Sequence, residues 1–151
     1  MNRYRLMWME TVYEPGEVKV VAYNADGSVA GEKTIRTAGA PYRLVARSNR
    51  ETLGAGEDDL AYITISVEDA DGNPVPTATD EVSFSVSGAG TFKATANGDP
   101  TSLRSFQAPE MDLFSGMATA IVEAGDTPGL LEFTVTAPGL LPATVEIPVE
   151  P

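Results

Sequence analysis

The stretch Tyr62-Ile-Thr-Ile-Ser-Val-Glu68 decides the fold class. Ile63, Ile65 and Val67 face one way while Thr64, Ser66 and Glu68 face the other, the period of two that marks a strand buried on one side. The same alternation recurs in Val82-Ser-Phe-Ser-Val-Ser87, Leu131-Glu-Phe-Thr-Val-Thr136 and Ala143-Thr-Val-Glu-Ile-Pro-Val149. Each carries β-branched or aromatic residues on its apolar side. No window of comparable length has helical spacing.

Turn signals punctuate these runs at short intervals: Asp71-Gly-Asn-Pro74, Gly88-Ala-Gly90, Asn97-Gly98, Thr127-Pro-Gly129 and Pro138-Gly139. Strands are expected near residues 42 to 47, 60 to 68, 81 to 87, 91 to 96, 117 to 123, 130 to 137 and 142 to 149. Seven short strands over about a hundred residues predict an all-β fold, an immunoglobulin-like antiparallel β-sandwich. It is assigned to residues 40 to 151.

Residues 1 to 39 contain only three strand candidates, Arg3 to Met9, Glu17 to Asn24 and Ser28 to Thr37, before the linker Ala38-Gly-Ala-Pro41. Three strands do not make a sandwich. The expectation is therefore a partial, three-stranded immunoglobulin-like unit, with the sequence starting inside a domain. Its inner face, Leu6, Trp8, Val18, Val20 and Ile35, would then lack a covering sheet. Exposed apolar area of that kind favours association. Residues 1 to 38 are expected to pack on the second domain or on another copy of the chain.

Composition removes whole classes of chemistry. With neither cysteine nor histidine, the chain has no thiol nucleophile, no disulfide, no Ser-His-Asp arrangement and no imidazole metal site. A net charge of -12 repels phosphate backbones and anionic headgroups, so no nucleic acid or membrane partner is expected. No apolar run approaches the roughly 20 residues needed to span a bilayer. The first residues also lack a signal-peptide layout.

The 22 acidic residues raise the question of paired carboxylates, but most lie at turns or on outward strand positions, where Asp and Glu are ordinarily solvated. No catalytic acid is assigned. Asp69, Asp71, Asn73 and Asp80 partly match a calcium loop, yet Pro74 stands where that loop needs glycine and strands replace its flanking helices. A plain turn accounts for them better. Glu57-Asp-Asp59 reads as a solvated loop. Among the aromatics, Phe84, Phe92 and Phe133 read as core. Trp8, Tyr13, Tyr23 and Tyr62 are the candidates for an aromatic surface able to stack on sugar rings, with ordinary packing the competing reading.

One segment breaks the regular series. From Asn97 to Gly116 the chain runs for twenty residues without a clear period, and loops of that length usually carry something. Asn97, Gly98, Asp99 and Pro100 are expected to set a tight turn, and Phe106 and Phe114 to anchor the loop over the sandwich edge. An exposed Phe106 would instead mark a docking contact.

Several segments together resemble the C-terminal immunoglobulin-like region of family 2 glycoside hydrolases, the bacterial β-galactosidase group. Tyr4-Arg-Leu-Met-Trp8, Tyr13 to Tyr23 and Ile35-Arg-Thr-Ala-Gly39 look like the latter half of the domain that follows the barrel in those enzymes. Asp58 to Thr64, Asp71-Gly-Asn-Pro-Val-Pro76, Asn97-Gly-Asp-Pro-Thr-Ser102, Phe106-Gln-Ala108 and Ala137-Pro-Gly-Leu140 look like its terminal domain, which also has an invasin-like appearance. The resemblance implies an accessory, non-catalytic region of a periplasmic or extracellular enzyme, without cofactor or metal. Its partners would be the catalytic and other domains of the parent glycosidase. The alternative is a glycan-binding or invasin-like adhesion module.

Overall fold

A computed structural model describes residues 7 to 151. Two compact units divide between Thr37 and Ala38, and each is described in turn.

The described part of the first unit is an antiparallel hairpin, β1 (Glu17–Tyr23) paired with β2 (Val29–Arg36). Its register places Glu17 opposite Arg36 and Lys19 two residues along from Glu32. Both pairs close as ion pairs, at 2.7 and 2.9 Å. The opposite face presents Val18 beside Ile35, with Val20 next along the strand. The hairpin is thus amphipathic, but Val18 and Ile35 remain 58% and 65% exposed. Of the expected first strand, Arg3 to Leu6 lie outside the described residues, and Met7 to Met9 are not strand.

The second unit has nine strands: β3 (Arg43–Ser48), β4 (Leu53–Gly54), β5 (Leu60–Glu68), β6 (Glu81–Gly88), β7 (Gly90–Ala96), β8 (Glu110–Asp112), β9 (Met117–Ala124), β10 (Gly129–Thr136) and β11 (Ala143–Glu150). They form two sheets, ordered β4-β11-β10-β6-β8 and β3-β5-β9-β7. All pairings are antiparallel except the short one between β4 and β11.

Alternation explains the core between the sheets. Ile63, Ile65 and Val67 are buried from one side and Leu131, Phe133 and Val135 from the other. Phe84 and Phe133 belong to one sheet and Phe92 to the other, and Phe84 stacks on both with ring centroids 5.8 Å apart. Such ring pairs add about 0.5 to 1.5 kcal/mol each beyond area burial. Each expected strand of this unit is present within a few residues of its expected bounds.

Two short strands escape the period-two reading. β4 has two residues and β8 three, too few for an alternation to show. β8 lies inside the segment from Asn97 to Gly116, which therefore is not structureless: Met111 pairs with Val82 at the edge of the first sheet.

Candidate functional site

The connection from β7 to β8 crosses from the edge of one sheet to the edge of the other. It begins with two nested turns. The Asn97 side chain accepts a hydrogen bond from the Asp99 N–H at 3.0 Å and donates from Nδ2 to the Asp112 carbonyl at 2.8 Å. Gly98, between them, has a φ of +78°, a region that favours glycine. The Asp99 carboxylate accepts from the Thr101 N–H and hydroxyl at 2.8 and 2.7 Å. Those bonds to Thr101 hold its carboxyl below the usual aspartate value. The Ser102 N–H donates to the Asp99 carbonyl, closing a turn around Pro100, whose fixed φ suits that position.

Beyond the turns, one cation organises the segment. Arg104 donates from Nε and Nη2 to the two oxygens of Asp112, at 3.0 and 3.3 Å, and also from Nη2 to Glu81. Glu110 lies 3.8 Å from its Nη1. This fork-shaped contact, supported by three carboxylates, ties the loop to β6 and β8, and the bonds to Glu81 first, and then to Asp112, raise the guanidinium pKa. Backbone bonds complete the attachment: Thr95 N–H donates to the Phe106 carbonyl at 2.6 Å, and Phe84 N–H to the Pro109 carbonyl at 2.7 Å.

The side chains that anchor the segment are Met111 and Leu113, both buried. Phe106 and Phe114, expected as anchors, are not: the two residues are 68% and 43% exposed. The backbone carbonyl of Phe106 is what holds it, its side chain is largely exposed, and Leu103, three residues earlier, is fully exposed. Phe114 sits in a reverse turn closed by reciprocal backbone bonds with Met117. Gly116 makes that turn possible, because a Cβ there would stand 2.2 Å from the Val75 carbonyl oxygen. Phe106 thus presents an exposed apolar side chain on a backbone already held by a hydrogen bond, which lowers the entropy lost on binding.

Of the aromatic surface candidates, Trp8 and Tyr13 belong to the first unit and are exposed, as is Tyr23. Trp8 lines a shallow groove with Val18 and Val20, and the Tyr13 hydroxyl lies 3.3 Å from that of Thr37. Tyr62 belongs to the second unit, opposite Ile121 on the outer face of the β3-β5-β9-β7 sheet.

The acidic turns are structural. Asp69 is buried, and its oxygens accept from the N–H groups of Gly39, Asp71 and Asn73 and from the Asn73 amide. The Gly39 N–H first, and then the Asn73 amide, lower its pKa from 3.8 to about 2. Asp59 is likewise engaged rather than merely solvated, correcting the reading of Glu57-Asp-Asp59 as a simple loop. It accepts from Gly54 N–H at 3.1 Å and binds both terminal nitrogens of Arg50 at 3.2 and 2.9 Å.

Arg104 is not among the residues singled out by the sequence, although its scarcity there is a signal. It is the only Lys or Arg from residue 94 to the C-terminus, set among many acids.

Comparison with known families agrees with this architecture. The model of glycoside hydrolase family 2 C-terminal domain 5 matches residues 44–146. The chain belongs to this family. Residues 1–31 match a second model, described as a domain of unknown function (DUF4982). The β-galactosidase BoGH2A of Bacteroides ovatus is 36% identical over 138 residues, which cover 91% of this chain and 16% of that protein. Among solved structures, a family 2 glycosyl hydrolase from Bacteroides cellulosilyticus superposes with a TM-score of 0.86 at 28% identity, covering 93% of this chain and 18% of the other. A β-glycosidase from Bacteroides vulgatus gives 0.83 at 28% identity, covering 91% and 18%. This member of the C-terminal domain family thus spans 16% to 18% of the length of these relatives.

Proposed function

We propose that the chain is a non-catalytic accessory region of a β-galactosidase-like family 2 glycoside hydrolase, and that its second unit docks on another domain of the parent enzyme through Leu103 and Phe106. The family match carries this reading, together with the small share of each relative that the chain covers. The loop supports it, because a segment tied to its neighbours by the Phe106 and Pro109 carbonyls and by Arg104 presents two exposed apolar side chains that take no part in the core of the unit. Central, desolvated aromatic anchors are the usual energetic focus of such contacts.

The apolar face of the β1–β2 hairpin supports a second contact. A two-stranded hairpin is marginal alone in water, and Val18, Val20 and Ile35 lie uncovered among the described residues. In the parent enzyme, further strands of the same polypeptide would cover them; left uncovered, the face drives self-association.

The direct test is an assay of the purified chain against a chromogenic galactoside. The expected result is no turnover above buffer. Saturable hydrolysis that survives repurification would overturn the accessory assignment.

A further inference from the structure

The unit from Ala38 to Pro151 contains five Lys or Arg residues, and four are ion-paired. Arg43 meets Glu68 at 2.7 Å, Arg50 meets Asp59 at 2.9 Å, Lys93 meets Glu123 at 2.6 Å and Arg104 meets Asp112 at 3.0 Å. Among the described residues of this acidic chain, Arg47 alone of the five has no carboxylate partner. It is exposed on the outer face of the β3-β5-β9-β7 sheet, opposite Thr64 in register.

Arg47 borders a groove of about 400 Å³ whose lining includes Thr64, Ser66, Pro74, Ser115 and Met117. Glu68 also reaches this groove, but its charge is offset by the Arg43 Nε and Nη2 bonds at 3.0 and 2.7 Å. The groove therefore combines one uncompensated guanidinium, hydroxyl groups that can donate or accept, and an apolar wall. β5, beneath it, is flanked on both sides by β3 and β9. An extended peptide consequently finds no free strand edge there to pair with.

We propose that this groove is a binding subsite for a carboxylate-bearing sugar, a uronic acid residue of an oligosaccharide. The guanidinium takes the carboxylate in its planar fork. Thr64, Ser66 and Ser115 meet ring hydroxyls, and Met117 and Pro74 face the C–H surface of the ring. The volume is of the size class that small ligands occupy. The inference stands apart from the accessory assignment, because binding is read on the chain itself.

The test is a titration of the isotope-labelled chain with trigalacturonic acid and, in parallel, with neutral galactotriose, followed by backbone amide shifts. Saturable shifts centred on residues 45 to 47, 64 to 66 and 115 to 117 are expected with the acidic trimer. Affinity for the neutral trimer is expected to be at least about tenfold lower, since a charge-assisted contact is lost. Arg47→Gln should weaken the acidic trimer by at least about the same factor. Thr64→Glu, which sets a competing carboxylate opposite Arg47, should do likewise, and unchanged amide dispersion elsewhere verifies the fold of either variant. Absence of saturation, equal affinity for the two trimers, or unchanged binding in both variants would overturn the proposal. Tighter binding of an Asp-Glu peptide in the same groove would also overturn it, assigning Arg47 to a protein partner.

Discussion

The β1–β2 hairpin and strand β5 share one sequence pattern and end in opposite environments. In β5, alternate residues Ile63 and Ile65 are fully buried, whereas Val18 and Ile35 of the hairpin are more than half exposed. Periodicity specifies which face of a strand is apolar. Whether that face is covered depends on a second layer, and only the second unit contains one among the described residues. Among the described residues the hairpin consequently keeps its apolar face exposed, whereas the sandwich has a core of its own.

The largest effect that this contrast implies is in the core. Phe133→Ala removes the fully buried ring that stacks on Phe84, and should cost about 3 to 5 kcal/mol in urea unfolding. Val18→Ala in the hairpin should change stability by about 0.5 kcal/mol or less. Equal losses would mean that the hairpin is covered after all.

Next in size is the loop. Arg104→Met leaves Glu81, Glu110 and Asp112 without the cation that joins them, so like-charge repulsion replaces attraction. Hydrogen exchange should quicken across residues 97 to 113 while β5 and β10 keep their protection. Unchanged exchange there would show that the backbone bonds alone fix the segment.

A smaller effect attaches to Asp69. Its folded pKa of about 2 lies below the ordinary 3.8, so the folded state favours the ionised form. The resulting stabilisation is complete well above 3.8 and is lost as pH falls from there toward 2. Asp69→Asn should therefore lower the melting temperature at neutral pH, with the difference from wild type shrinking through that acid window. A difference independent of pH would contradict the assignment. Smallest in its effect on stability, Ile35→Lys should reduce self-association of the chain, seen by light scattering, and leave the melting of the second unit unchanged.

Much of this was legible in the sequence, and the failures have physical causes. β5, β6, β10 and β11 stood out because alternation over six or more residues is hard to produce otherwise. β4 and β8 did not, since two or three residues carry no period. Asn97-Gly-Asp-Pro was readable as turn chemistry because its determinants are local. The Arg104 cluster joins residues up to 23 positions apart, and nothing local announces it. The anchors of the loop differ from those expected: Met111 and Leu113, in and beside the edge strand β8, are buried, while Phe106 and Phe114 are exposed.

The outward ring of Phe106 gives the most direct measurement. Hydroxyl-radical footprinting of this chain and of the intact parent enzyme compares the reactivity of one side chain in two settings. Phe106 and Leu103 are expected to react readily in the isolated chain and to be strongly protected in the parent. Equal reactivity in both would contradict docking through this loop.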